Sequence, residues 1–191
     1  FPLRTVLFPG GYLQLRIFEQ RYIDMVRECS VNDSCFGVCL INNHESTDTA
    51  ATHFEFGTLA RIFDFTTLDD GLLGISAQGA QRFVVQKTRM RDNGLLMAEI
   101  QTHEEANTVL LPEQYSVLSM ITARFMEQLS ANYPSFEPPL LQDSHWVGYR
   151  LAELLPLEDN EKQLLLQLDD PLERLQWLVE ALPRFQEPLE A

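Results

Sequence analysis

The period of the hydrophobic pattern changes once along this chain, and that change constrains the fold more than any other feature. Up to about residue 100, apolar and polar residues alternate or form short apolar runs between turn residues, which is typical of β-strands. Beyond Pro112, apolar residues recur every three to four positions, which is typical of helices that bury one face. A chain of 191 residues can bury a core without disulfide staples. We therefore predict an α+β protein with a β-rich subdomain over residues 1–108 and a helical subdomain over residues 109–191.

The first hundred residues contain strand candidates and one helix. The helix is predicted over residues 19–29, where apolar side chains recur at helical spacing. The strongest turn signal is Asp92-Asn93-Gly94, which is typical of a tight hairpin loop. These features favour a mixed, mostly antiparallel sheet that curls on itself with the helix packed against it. The predicted strands are residues 13–17, 36–41, 57–65, 72–77, 83–90 and 95–100.

The second half contains four predicted helices, separated by proline-containing breaks. Either Asp143 or Ser144 can cap the second of them, and Asp170 precedes a proline that suits a first helical turn. Residues 132–141 hold three prolines and are predicted to be a loop. The predicted helices are residues 112–131, 144–155, 158–168 and 171–182.

The net charge of −14 argues against binding of nucleic acids. Residues 1–100 carry 9 basic and 12 acidic side chains, and residues 101–191 carry 5 and 16. Such a field repels phosphate backbones, so nucleic acid is a poor partner. The apolar runs are too short to span a membrane, and no secretory leader opens the sequence. Three sparse cysteines fit a reducing compartment, so we expect a cytoplasmic protein without a membrane partner.

The two lysines lack the settings that nucleotide or Ser–Lys chemistry requires. Neither is preceded by glycine, so no phosphate-binding loop is present. Lys87 alternates with Arg89 and Arg91 on one predicted strand face, which indicates a solvated basic face, with an anion-binding stripe as the alternative. Lys162 is predicted on an exposed helix surface. We predict no catalytic residue and no cofactor.

A metal site is not expected either. Cys35 and Cys39 are followed by His44 and His53, but metal ligands usually come in tighter pairs within a loop that bends them inward. The cysteines are therefore predicted to be buried structural thiols. Cysteine–histidine catalysis lacks a recognisable activating pair.

Four phenylalanines crowd into twelve residues: Phe54, Phe56, Phe63 and Phe65. Each pair is spaced to share a strand face. Core packing is the simpler interpretation. The alternative is an open aromatic surface, because a small domain does not easily bury both faces of one sheet.

Several motifs in order resemble the N-terminal domain of Lon proteases. The chain opens with Phe1-Pro2-Leu3-Arg4, followed by Phe8-Pro9-Gly10-Gly11, and continues with Phe56-Gly57-Thr58-Leu59. Gly79-Ala80-Gln81-Arg82 is similar to the family's Gly-x-x-Arg segment, although Ser76, Ala77 and Gln78 before it depart from the family pattern. Leu151-Ala152-Glu153-Leu154-Leu155-Pro156-Leu157 matches in the helical half.

The resemblance implies a PUA-like β-barrel followed by a C-terminal α-helical bundle, the family's module for engaging protein substrates. The family's ATPase and Ser–Lys protease domains do not fit in 191 residues. The expectation is a free-standing, non-catalytic module in protein quality control. It would bind unfolded or extended polypeptide, with a protease or chaperone as a further partner, and Phe54, Phe56, Phe63 and Phe65 as the candidate peptide-binding surface.

Two alternatives remain open at this point. PUA-like barrels also occur in RNA-binding proteins, so a nucleic-acid-binding module is the first, with the basic stripe at Lys87 as its support. A hydrolase with an unrecognised site is the second. Fold analogy cannot decide between these, because sites rather than folds carry function.

Overall fold

The computed structural model of the chain describes residues 1–42, 53–104, 108–129 and 138–185. The chain forms two compact units, residues 1–105 and residues 106–191. The described part of the first unit contains six strands and one α-helix, and that of the second contains four α-helices. The α+β class is therefore confirmed.

The strands of the first unit form one mixed sheet. The elements of this unit are β1 (Pro2–Leu3), β2 (Tyr12–Ile17), α1 (Gln20–Val31), β3 (Phe36–Ile41), β4 (His53–Thr67), β5 (Leu73–Met90) and β6 (Leu96–Thr102). The strand order is β1-β3-β4-β5-β2, with β6 paired to β5, and among the described strands only β1 and β3 run parallel. Within the described residues β1 and β2, the two ends of this path, do not pair, so the path is open.

The strand β5 joins two segments that the sequence pattern separates. Gly79 lies between the predicted strands 72–77 and 83–90, but the structure places it inside one strand of 18 residues. Its backbone N–H donates to the carbonyl of Gly11, and its carbonyl accepts from the N–H of Gly10, both at 2.8 Å. A Cβ atom at Gly79 would overlap the carbonyl oxygen of Phe8. Glycine is therefore required here by close backbone approach rather than by a bend.

One face of the sheet forms the main core of the first unit with α1. The helix contributes Met25, Val26 and Cys29, in agreement with the predicted apolar stripe. On this face, Thr58 is fully buried and its hydroxyl donates to the carbonyl of Leu7 at 2.6 Å. The remaining members of the cluster are Leu7, Ile17, Phe36, Val38, Ala60, Ile75, Ala77 and Leu95.

On the other face of the sheet, the ring of Phe83 packs onto glycine in two neighbouring strands. A Cβ atom at Gly37 or at Gly57 would lie 2.8 Å from Cζ of Phe83. A Cβ at Gly57 would also overlap the carbonyl oxygen of Val38. Phe83 itself is buried. The two glycines therefore let an aromatic ring lie directly against the backbone of β3 and β4.

The second unit contains α2 (Ser116–Gln128), α3 (Ser144–Leu154), α4 (Asp159–Gln167) and α5 (Pro171–Ala181). The predicted caps are confirmed: the Asp143 side chain accepts from the N–H groups of His145 and Trp146, and that of Asp170 accepts from Leu172. Most of the predicted 132–141 loop lies outside the described residues. Lys162 is half-buried rather than exposed, because its Nζ donates to the carbonyl of Glu153 at 3.0 Å.

Arg174 is a fully buried cation at the centre of the helical unit. Its guanidinium donates to the carbonyl of Leu165 at 3.0 Å, to that of Leu168, and to the hydroxyl of Tyr149 at 3.2 Å. It also lies 4.0 Å from the centre of the Tyr149 ring. One side chain of α5 thus satisfies carbonyl groups at the end of α4 and stacks on α3.

We predict that Gly37→Ala lowers the free energy of unfolding by about 1–3 kcal/mol, because the added methyl overlaps the Phe83 ring. In a double-mutant cycle, Phe83→Leu should remove part of that cost. Phe83→Leu should not rescue Gly57→Ala, because the Val38 carbonyl also blocks that methyl. Urea unfolding measures the unmodified chain and the five single and double variants, and additive costs for Gly37→Ala and Phe83→Leu would contradict the packing described.

We predict that Arg174→Met lowers the free energy of unfolding by about 3 kcal/mol or more, because it leaves buried carbonyls without donors. Arg174→Lys should not restore the loss, since an ammonium group lacks the planar fork. Arg124→Met is the control, because Arg124 is exposed and should change stability by less than about 0.5 kcal/mol. Thermal unfolding followed by circular dichroism makes the comparison, and equal stability of the two methionine variants would refute the role of Arg174.

Candidate functional site

The four phenylalanines proposed as one surface differ in exposure. Phe63 and Phe65 are 55% and 49% exposed. Phe54 and Phe56 are half-buried. The Phe56 ring has the guanidinium of buried Arg82 at 5.6 Å and the ring of His103 at 6.1 Å. Phe56 is therefore held within a packed group.

Phe63 and Phe65 do not share a face of β4, contrary to the spacing-based prediction. The register shifts between Ile62, which pairs with Ala77, and Asp64, which pairs with Ser76. Phe65 then pairs with buried Ile75 and lies on the core face, because directly opposed residues share a face. The extra residue of this bulge reverses the alternation.

Phe63 lies at that bulge on the face away from the core. Its ring meets the ring of Tyr12 edge-on, with the centres 5.7 Å apart. The half-buried Tyr12 comes from β2, so two strands contribute to this aromatic pair. Phe63 and Tyr12 therefore form a small open aromatic patch, from which exposed Phe65 is separated because it lies on the other face of the sheet.

The first unit also contains a cavity of about 260 Å³. Cross-strand pairing explains its floor: Gly37 pairs with Leu59, and Cys39, Gly57 and Phe83 are neighbours in one row across β3, β4 and β5. The same face continues into β6, where Ile100 pairs with Val85. The apolar lining includes Met25, Cys29, Phe36, Leu59, Phe83 and Ile100. A mostly apolar recess of this kind suits an uncharged side chain or small apolar ligand.

All three cysteines line this cavity, and none is in a disulfide bond. Burial raises the pKa of the Cys39 thiol to about 11 and also raises the pKa of Cys29. Both thiols are therefore protonated near neutral pH, which makes them poor nucleophiles and poor metal ligands. Cys29 and Cys39 are buried as predicted, whereas Cys35 is partly exposed.

The described residues contain no group of three histidine, cysteine or acidic side chains that could hold a metal ion. His44, one of the candidates considered from the sequence, lies outside the described residues. Across the same described ranges, no helix is long and apolar enough to cross a membrane.

The basic stripe on β5 is compensated by carboxylates. Arg91 forms two hydrogen bonds with Glu28 of α1, at 2.7 and 3.1 Å, and this pairing lowers the pKa of Glu28. Lys87 faces Glu99 across the β5–β6 pair. Arg89 is thus the member of the stripe with an uncharged cross-strand neighbour, Met97. This arrangement weakens the anion-binding interpretation.

The sequence-based reasoning missed the cavity and the residues of β6 that line it, Leu96, Met97, Ala98 and Ile100. Part of the signal was present, because Gly37 lies inside one predicted strand and Gly57 begins another. Strand glycines of this kind mark places where another group approaches the backbone closely.

Comparisons with known proteins agree over nearly the whole chain. Residues 1–184 match the family described as ATP-dependent protease La (LON) substrate-binding domain. The chain is 24% identical to the Lon protease of Cytophaga hutchinsonii, over 96% of this chain and 23% of that protein. It is 25% identical to a LON peptidase N-terminal domain and RING finger protein of Schizosaccharomyces pombe, over 97% of this chain and 45% of that protein. The chain thus spans less than half the length of either relative.

A solved structure shows the same fold. The Lon N-terminal domain protein from Xanthomonas campestris superposes with a TM-score of 0.77 at 39% identity, covering 94% of this chain and 95% of that one. The family match extends through both units, because it begins at residue 1 and ends at residue 184. On this evidence, the chain belongs to the family of LON substrate-binding domains.

Proposed function

We propose that this chain is a non-catalytic module that binds unfolded or extended polypeptide. The observation that carries the proposal is the match of residues 1–184 to a substrate-binding domain. The apolar cavity of about 260 Å³ and the exposed ring of Phe63 supply surfaces on which apolar side chains can be buried. Modest affinity suits such a module, because a recruited substrate must be released.

The same proposal includes the finer features expected from the family. The antiparallel order β3-β4-β5-β2 supports a PUA-like barrel, and α2 to α5 support a helical bundle. A division near residue 108 is supported by the end of β6 at Thr102 and the start of α2 at Ser116. We assign the module to the cytoplasm and to protein quality control, with a protease or chaperone as a further partner. The reduced thiols support that location.

Neither alternative function gains support from the site. Nucleic acid would need a segregated basic surface, but Arg91 is engaged by Glu28 and Lys87 faces Glu99. A cysteine hydrolase would need an activated thiol, but burial keeps Cys29 and Cys39 protonated. Polypeptide binding is the function that the arrangement supports best.

The direct test is binding of an unfolded polypeptide. A fluorescent, reduced and alkylated protein should bind the purified chain with micromolar affinity, measured by anisotropy, whereas its native form should not bind. The affinity for unfolded chains rich in lysine should decrease with salt, because the chain carries a net charge of −14. A labelled single-stranded RNA with as many nucleotides as the unfolded polypeptide has residues should remain unbound at the same protein concentration. Tight RNA binding without polypeptide binding would refute the proposal.

The phenylalanine surface has its own test. Phe63→Ser should weaken binding of the unfolded polypeptide at least threefold and leave the urea midpoint unchanged, because the ring is exposed. Phe56→Ser should instead cost about 2 kcal/mol or more of stability, because that ring is packed. Phe18→Ser is the matched control, since Phe18 is 67% exposed and lies outside the cluster. Equal binding by the Phe63 and Phe18 variants would remove Phe63 from the binding surface.

A further inference from the structure

One edge of the strand β6 has no partner strand in the part of the chain that the structure describes. Within the described residues its one partner strand is β5. The N–H of His103 donates to the carbonyl of Arg82, and the N–H of Arg91 donates to the carbonyl of Leu95. These two hydrogen bonds show, at both ends of β6, which residues direct their backbone groups toward β5. Backbone groups of antiparallel strands point alternately to the two edges. The odd-numbered residues from 95 to 103 therefore face β5, and Leu96, Ala98 and Ile100 direct their N–H and carbonyl groups to the unpaired edge.

The same three residues line the cavity, and Met97 of β6 also contributes to its lining. An extended chain that paired with this edge would place alternate side chains on the cavity face, next to Leu96, Ala98 and Ile100. A buried apolar cavity of about 150 Å³ accommodates benzene, so a volume of about 260 Å³ is sufficient for an aromatic side chain. Unpaired backbone groups and an apolar recess therefore occur together on one strand.

The opposite face of β6 carries a negative charge. Glu99 is exposed there, and Leu96–Thr102 contains no lysine or arginine. An added strand would place a side chain next to Glu99 on the side away from Lys87, where a basic residue is favourable. A second copy of this chain would instead bring two glutamates and two net charges of −14 together. Charge complementarity therefore selects a basic partner strand over a second copy.

We propose that β6 binds an extended segment of a client polypeptide by strand addition, with an aromatic side chain in the cavity and a basic side chain beside Glu99. The inference rests on the proposed function and names where that polypeptide binds. Backbone hydrogen bonds supply affinity that does not depend on sequence, while the cavity and Glu99 select alternating aromatic and basic residues.

The experiment uses three labelled nine-residue peptides and the full chain. One peptide alternates Phe and Lys, the second Phe and Glu, and the third Ala and Lys. The Phe/Lys peptide should bind at least tenfold more tightly than the other two in fluorescence anisotropy. On binding, hydrogen exchange should slow at the amides of Ala98 and Ile100 and change little at Met97 and Glu99.

Variants at β6 separate the contributions. Ala98→Pro removes one outward N–H without removing a hydrogen bond to β5. This variant should lower the affinity for the Phe/Lys peptide at least tenfold. Ala98→Val adds bulk but keeps the N–H, so the difference between the two variants measures the backbone contribution. Glu99→Lys should reverse the preference toward the Phe/Glu peptide. Asp69→Lys makes the same charge change in a distant turn and should not reverse it.

Each outcome decides the inference. Equal peptide affinities, or no added protection at Ala98 and Ile100 in the unmodified chain, would overturn it even if Ala98→Pro failed to fold. Dimerisation in light scattering that Ala98→Pro abolished would show a second copy on the edge and would also overturn it. In either case, continued binding of the unfolded protein would leave the proposed function intact. If the unmodified chain bound neither peptides nor the unfolded protein, the proposed function itself would fail.

Discussion

The contact between the Phe83 ring and the glycine backbone of β3 and β4 is the packing constraint on which the first unit depends. The ring lies against Gly37 and Gly57 and occupies the space that side chains at these two positions would need. Directly across the sheet, the Thr58 hydroxyl donates to the carbonyl of Leu7. Contacts on both faces of the sheet therefore hold β3, β4 and β5 together near Gly57 and Thr58. The Phe83 ring also lines the cavity.

The helical unit is held together differently, by its few cations. Of the five basic residues in residues 106–191, Arg150 pairs with Glu153 and Arg184 pairs with Glu161, both at 2.6 Å. Lys162 and Arg174 donate to backbone carbonyls. Because these cations are used inside the unit, its exposed charge is dominated by carboxylates. The electrostatic bias of this unit arises from its excess of acidic residues and is increased by these internal contacts, and it disfavours polyanions as partners.

The sequence predicted most elements of the fold because their signals are local. The alternation at β2, the apolar run at β3, the turn at Asp92-Asn93-Gly94, and the caps at Asp143 and Asp170 depend on neighbouring residues. The face of Phe65 could not be predicted, because one extra residue near Phe63 reverses the alternation and no local signal marks it. The cavity could not be predicted either, since Gly37, Gly57 and Phe83 meet only through long-range pairing.

The hairpin of β5 and β6 is attached to α1 by the buried side chain of Leu95 and by polar contacts at the hairpin tip. Arg91 pairs with Glu28, and the Arg21 guanidinium donates to the carbonyl of Gly94 at 2.9 Å. The pairing lowers the pKa of Glu28, so its stabilising contribution is complete above the ordinary carboxyl pKa and is lost as the pH falls through the lowered value. Acid therefore weakens one of the contacts that hold the cavity wall formed by this hairpin, while the burial of Leu95 and the packing of Phe83 do not depend on the charge of Glu28.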